Sequence, residues 1–158
     1  MGLIDAIRES MGEEWLPFIY RDKIRTQRTR LITLEIPPRN NSAIIQYTLL
    51  GIELKVGKRR FACPDLATAR YMRVFARIGA SEFALPYDIT RISTAADELE
   101  TSWQHAVLKI AGNQGDRQLS ERSRYRTMLA TAMRLEIASI GGGDAMPAFD
   151  RETRARKT

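Results

Sequence analysis

The chain has 158 residues, of which 44% are hydrophobic and 28% charged, with a formal charge of +6 and a pI near 9.8. That length suits one domain with its own core, and no window approaches the roughly 18 continuous apolar residues of a membrane span. One cysteine, Cys63, and one histidine, His105, exclude an internal disulfide and are too few for a zinc site, so a reducing, cytoplasmic location with no metal or other cofactor is expected.

At the start, MGLIDAIRES has Asp5 and Glu9 and lacks the cationic lead and apolar run of a secretory leader. Ala6 stands where a myristoylation motif needs Ser or Thr. Leu3, Ile4, Ile7 and Met11 recur at helical spacing and predict a short amphipathic helix ended by Gly12. Pro17 interrupts any helix in EEWLPFIY, and Trp15, Leu16, Phe18 and Tyr20 around it are expected to close one end of the core. Five basic residues follow in RDKIRTQRTR, residues 21–30.

A sheet is expected next. LITLEI, residues 31–36, alternates Ile32, Leu34 and Ile36 against Thr33 and Glu35 until Pro37 and Pro38 stop it. RNNS, residues 39–42, is turn chemistry. AIIQYTLL, residues 43–50, reads as a second strand, Gly51 as a bulge or bend, and IELKV, residues 52–56, as a third. Gly57-Lys58 fits a two-residue hairpin turn, after which RRFAC returns antiparallel.

Pro64 and Asp65 open a helix that Gly79 closes. EFAL, residues 82–85, is a short strand. Thr94 with Asp97 resembles a capping box for a helix over residues 94–111 that presents Ala95, Leu99, Trp103, Ala106, Val107 and Ile110 to the core. Residues 120–140 form a last helix, with Met128, Leu129, Ala132, Met133 and Leu135 in its apolar part. The reading is an α+β fold: an antiparallel β-meander of three to four strands packed by helices, with a C-terminal helical pair. It makes residues 1–140 one domain and residues 141–158 a disordered basic tail. Within that tail Met146, Pro147, Ala148 and Phe149 form a small apolar anchor flanked by charge, either a docking element or part of a plain solubilising tail.

Function rests on charge. Arginine outnumbers lysine 20 to 5, which a phosphate-rich partner or a codon bias explains equally well. On a helix of residues 65–78, turning about 100° per residue, Arg70, Arg73 and Arg77 fall within an arc of about 60° beside the apolar side. Three like charges so spaced repel by a few tenths of a kcal/mol per pair, and no acidic residue lies between 66 and 79. Lys55, Lys58, Arg59 and Arg60 precede them on the hairpin. Two readings stand. In one, the seven cations share a surface that tracks DNA or RNA phosphates, arginine's planar fork suiting phosphate oxygens. In the other, the stripe is a solvated face partly paired with Asp97, Glu98 and Glu100. A non-enzymatic adaptor docking on an acidic protein partner is the alternative function. Neither involves a membrane.

Glu53-Leu54-Lys55 opens a catalytic alternative. On a strand, residues i and i+2 share a face, and the order helix, meander, helix, strand over residues 2–86 resembles the core of the PD-(D/E)xK nucleases. That resemblance implies Glu53 as a Mg²⁺ ligand and Lys55 steadying the attacking water, or an inactive relative of that fold. Such a site wants a further acid on the preceding strand, and residues 36–52 contain none, Glu35 being the nearest. Cys63 before Pro64-Asp65 is either a thiolate at a helix N-terminus or a buried, inert thiol.

Overall fold

The computed structural model describes residues 2–114 and 119–141, so the segment read above as a disordered tail lies, beyond Gly141, outside the described residues. Helix α1 (Leu3–Met11) ends at Gly12, and a 3₁₀ turn, Gly12–Glu14, leads into α2 (Leu16–Ile19). Pro17 lies in the first turn of α2, where its missing N–H costs nothing. It therefore starts a helix and does not interrupt one, and the helix widens into a π-helical turn, Tyr20–Ile24. Trp15, Leu16 and Tyr20 are fully buried.

Strand β1 (Thr29–Thr33) is not part of the meander, contrary to the sequence pattern. It pairs antiparallel with β5 (Glu82–Pro86), Thr29 opposite Pro86 and Thr33 opposite Glu82. The amide of Leu34 is taken by the carbonyl of Ser81 at 2.7 Å. Pro37 and Pro38 then offer no donor to continue a ladder. The meander proper is β2 (Ala43–Thr48), β3 (Gly51–Val56) and β4 (Arg59–Cys63), joined by the turns Leu49-Leu50 and Gly57-Lys58. The overall class is α+β, as the sequence predicts.

Helix α3 (Leu66–Ile78) begins at Asp65, whose carboxylate accepts the Thr68 amide at 2.7 Å. It covers the face of the meander that carries Leu54 and Val56. Phe75 stacks on Phe83 at 4.2 Å, and Tyr71 and Tyr20 pack against Phe75 at 5.0 and 5.6 Å. The buried backbone of Ala84 is satisfied by two tyrosines: the Tyr71 hydroxyl donates to its carbonyl, and its amide donates to the Tyr20 hydroxyl at 2.9 Å. Burial pushes both phenols up from their ordinary pKa, Tyr71 well up.

Helix α4 (Ile89–Gln114) starts five residues before the predicted capping box. Asp88 accepts the Thr90 amide at 3.0 Å, while Thr94, inside the helix, bonds the Thr90 carbonyl. Its predicted core face is buried or half-buried. Helix α5 (Leu119–Ile140) buries Leu129, Ala130, Met133 and Ile137 and leaves Met128 and Leu135 exposed, so its apolar stripe differs from the predicted one. Glu136 of α5 accepts from Arg8 of α1 and from the Trp15 indole, tying α5 to the N-terminal helical segment. No described helix is long and apolar enough to cross a membrane.

Candidate functional site

The arginine stripe of α3 runs along the edge that meets α4. Arg70 bonds Asp97 and, at 3.2 Å, Glu100; Arg73 bonds the other oxygen of Glu100 at 2.9 Å. These bonds raise the pKa of the Arg70 guanidinium. Glu98, the third carboxylate considered, turns instead to Lys23 at 2.8 Å. On the hairpin, Arg59 pairs with Glu35 at 3.1 Å. Seven uncompensated cations on one surface is therefore corrected: Arg59, Arg70 and Arg73 are each tied to a carboxylate, and two of them join α3 to α4.

Arg77 differs. One and two turns beyond Glu100, α4 presents Trp103 and Val107, and no carboxylate reaches Arg77 among the described residues. Burial, aided by the neighbouring Arg73 charge, lowers its pKa although Glu100 opposes the shift. Arg77 lines a cavity of about 260 Å³ with Asn40, Asn41, Ser42 and, from α5, Arg126. Among the described residues, no Asp or Glu lines that cavity.

This end of α3 is built by the segment the sequence marks only as a turn. The Asn41 amide donates to the Arg77 carbonyl at 3.0 Å, the Asn41 side chain to Ala76 at 3.1 Å, and the Asn40 side chain to Arg77 at 2.9 Å. Arg134 of α5 donates to the Ile78 carbonyl at 2.9 Å. Gly79 closes the helix at φ 77°, a conformation glycine adopts without strain.

The hairpin cations lie at the same end of the molecule. Ala43, on the cavity wall, pairs with Val56, the last residue before the Gly57-Lys58 turn. One step back along β3, Lys55 sits opposite Arg60 of β4 on the meander's outer face. Lys55, Lys58 and Arg60 make no ion pair among the described residues. The cations at this end, its cationic pole, divide between two sides of the meander: Arg77 and Arg126 line the cavity on the α3 side, Lys58 is on the turn, and Lys55 and Arg60 face away from α3. Arg126 and the Asn40-Asn41 pair carry no local signal that would have marked them, because they meet Arg77 only through the packing of α5 and the chain's passage across α3.

Glu53 and Lys55 do share the outer face, opposite Gln46 and Ile44 of β2. One Glu53 carboxylate oxygen is buried without a hydrogen-bond partner. No group of three His, Cys, Asp or Glu able to hold a metal occurs among the described residues, and the strand after α3 pairs with β1, outside the meander. Cys63 is buried, its thiol bonds the Phe61 carbonyl at 3.6 Å, and burial pushes its pKa up, the opposite of an activated thiolate. His105 lies 3.7 Å from Glu14 on an exposed surface. Comparison with family models, curated proteins and solved structures returns no match.

Proposed function

We propose that the protein binds nucleic acid as a non-catalytic accessory factor, contacting phosphates with the cationic pole. The observation that carries this reading is the contrast within one helix. Arg70 and Arg73 spend their charge on α4, whereas Arg77 shares a polar cavity with a second arginine and, among the described residues, no carboxylate. Arg77 is half-buried beside the Arg73 charge, and an external oxyanion in the cavity would relieve both its burial and that repulsion. Ser42 adds a short polar group suited to phosphate oxygens, while the Asn41 side-chain amide is held by the Pro37 and Ala76 carbonyls and fixes the cavity wall. Lys55, Lys58 and Arg60 extend the positive field along the neighbouring strands, as backbone tracking requires. A cytoplasmic location fits this reading and the single buried thiol.

The test is fluorescence anisotropy with labelled duplex and single-stranded oligonucleotides at two salt concentrations, on the wild type and on Arg77→Ala with Arg126→Ala. Binding that falls steeply with salt and is lost first in the double variant supports the reading. No binding at low salt, alongside tight binding to an acidic polypeptide, replaces it with the adaptor function.

A further inference from the structure

We propose that β2 is the seam of a homodimer, two copies pairing antiparallel through this edge strand. Among the described residues β2 differs from every other sheet edge. Strand β4 carries Arg59 and Arg60, β1 carries Arg30, and β5 carries Glu82 and ends in Pro86. Charges and prolines are the usual guards against edge-to-edge pairing. Residues 43–50, AIIQYTLL, contain neither.

The hydrogen-bonding pattern is open as well. Thr48 and Gly51 close the two-residue turn, so Thr48, Gln46 and Ile44 direct their backbone groups to β3. Alternation then turns the N–H and C=O of Ala43, Ile45 and Tyr47 outward. Side chains around this edge are exposed far beyond what solvation favours: Ile44 by 53%, Tyr47 by 71%, Leu49 by 105% and Leu50 by 98%. Together they offer on the order of 500 Å² per copy, so a pair can remove about 1,000 Å² from water, the lower limit of a specific interface.

A second copy is the occupant that an uncharged, self-complementary strand fits without further design. A two-fold axis at Tyr47 places the two tyrosines side by side. It sets Thr48 of each copy opposite Gln46 of the other and brings the Leu49-Leu50 turn of each copy beside Ile45 and Ile44 of the other. The product is a six-stranded sheet whose new outer edges are the arginine-bearing β4 strands, so pairing stops at two.

Sedimentation equilibrium of the full chain, from about 1 to 300 µM, tests the proposal. A monomer–dimer equilibrium is expected in the wild type. Tyr47→Lys, which sets two lysines opposite each other across the axis, should weaken it at least tenfold. Leu49→Lys lies in a fully exposed turn, where folding is indifferent to it, and should do the same. Added salt should preserve or strengthen the dimer by screening repulsion between two chains of charge +6, the opposite of its effect on nucleic-acid binding. Failure of either claim is thus visible separately. A wild type that stays monomeric throughout, or lysine variants that dimerise as well as the wild type, overturns the seam.

Discussion

Replacing Gly79 with alanine probes how the cationic end of α3 is held. Gly79 has φ +77°, where a residue with a Cβ costs about 1 kcal/mol more than glycine. Crowding is the larger effect. A Cβ would stand 2.4 Å from both the amide nitrogen and the carbonyl oxygen of Arg39, and 3.0 Å from Nη1 of Arg134. The guanidinium can swing aside, but the Arg39 backbone cannot yield without carrying Asn40 and Asn41 with it. Those two residues make three hydrogen bonds to the Ala76 and Arg77 carbonyls. At about 1 kcal/mol net per bond, losing two or three brings the total to about 3–4 kcal/mol. Urea unfolding followed by circular dichroism should show the midpoint falling by about 1.5–2 M at an m-value near 2 kcal/mol/M. A loss below about 1 kcal/mol, the backbone penalty alone, would refute the packing of residues 39–41 over this helix end.

Glu100→Gln strips Arg73 of its carboxylate and leaves Arg70 with Asp97 alone; the same unfolding assay should show a loss of about 1–3 kcal/mol. Glu98→Gln, whose partner Lys23 is exposed, should cost under about 1 kcal/mol. Tyr71→Phe leaves the buried Ala84 carbonyl without its donor and should cost about 1–3 kcal/mol by thermal melting. Alkaline pH should also destabilise the fold. Below the unfolded tyrosine pKa of about 10 both states hold the proton, but above it the unfolded chain releases protons that Tyr20 and Tyr71 retain. Stability therefore falls by up to about 1.4 kcal/mol per pH unit for each such tyrosine. Denaturant midpoints between about pH 9 and 11 should show that fall, shallower in Tyr71→Phe; an unchanged slope would mean the phenol is not buried.

What could be read along the chain was what neighbours in sequence decide. Asp65 and Gly79 bound α3 because a cap and a left-handed residue are local devices, and Gly57-Lys58 makes its hairpin for the same reason. The partner of strand β1 was not legible, because β5 lies some fifty residues away and an alternating pattern says nothing of which strand it joins. Thr94 and Asp97 matched a cap by spacing, yet Asp88 took that role one and a half turns earlier. The arginine spacing on α3 was legible, but its neutralisation was not: Asp97 and Glu100 are 27 residues from their partners Arg70 and Arg73. The cavity at Arg77 depends on Arg126, which is brought there only by the docking of α5.

The most direct measurement is the slope of log affinity against log salt for duplex DNA, taken on the wild type and on the Arg77→Ala, Arg126→Ala double variant. Five cations at the pole limit the slope to about −4.5, at about 0.9 per phosphate neutralised. The wild-type slope should lie between about −3 and −4.5 and be shallower by about 1.8 in the double variant. A slope near zero, or a double variant with the wild-type slope, would contradict phosphate binding at the pole.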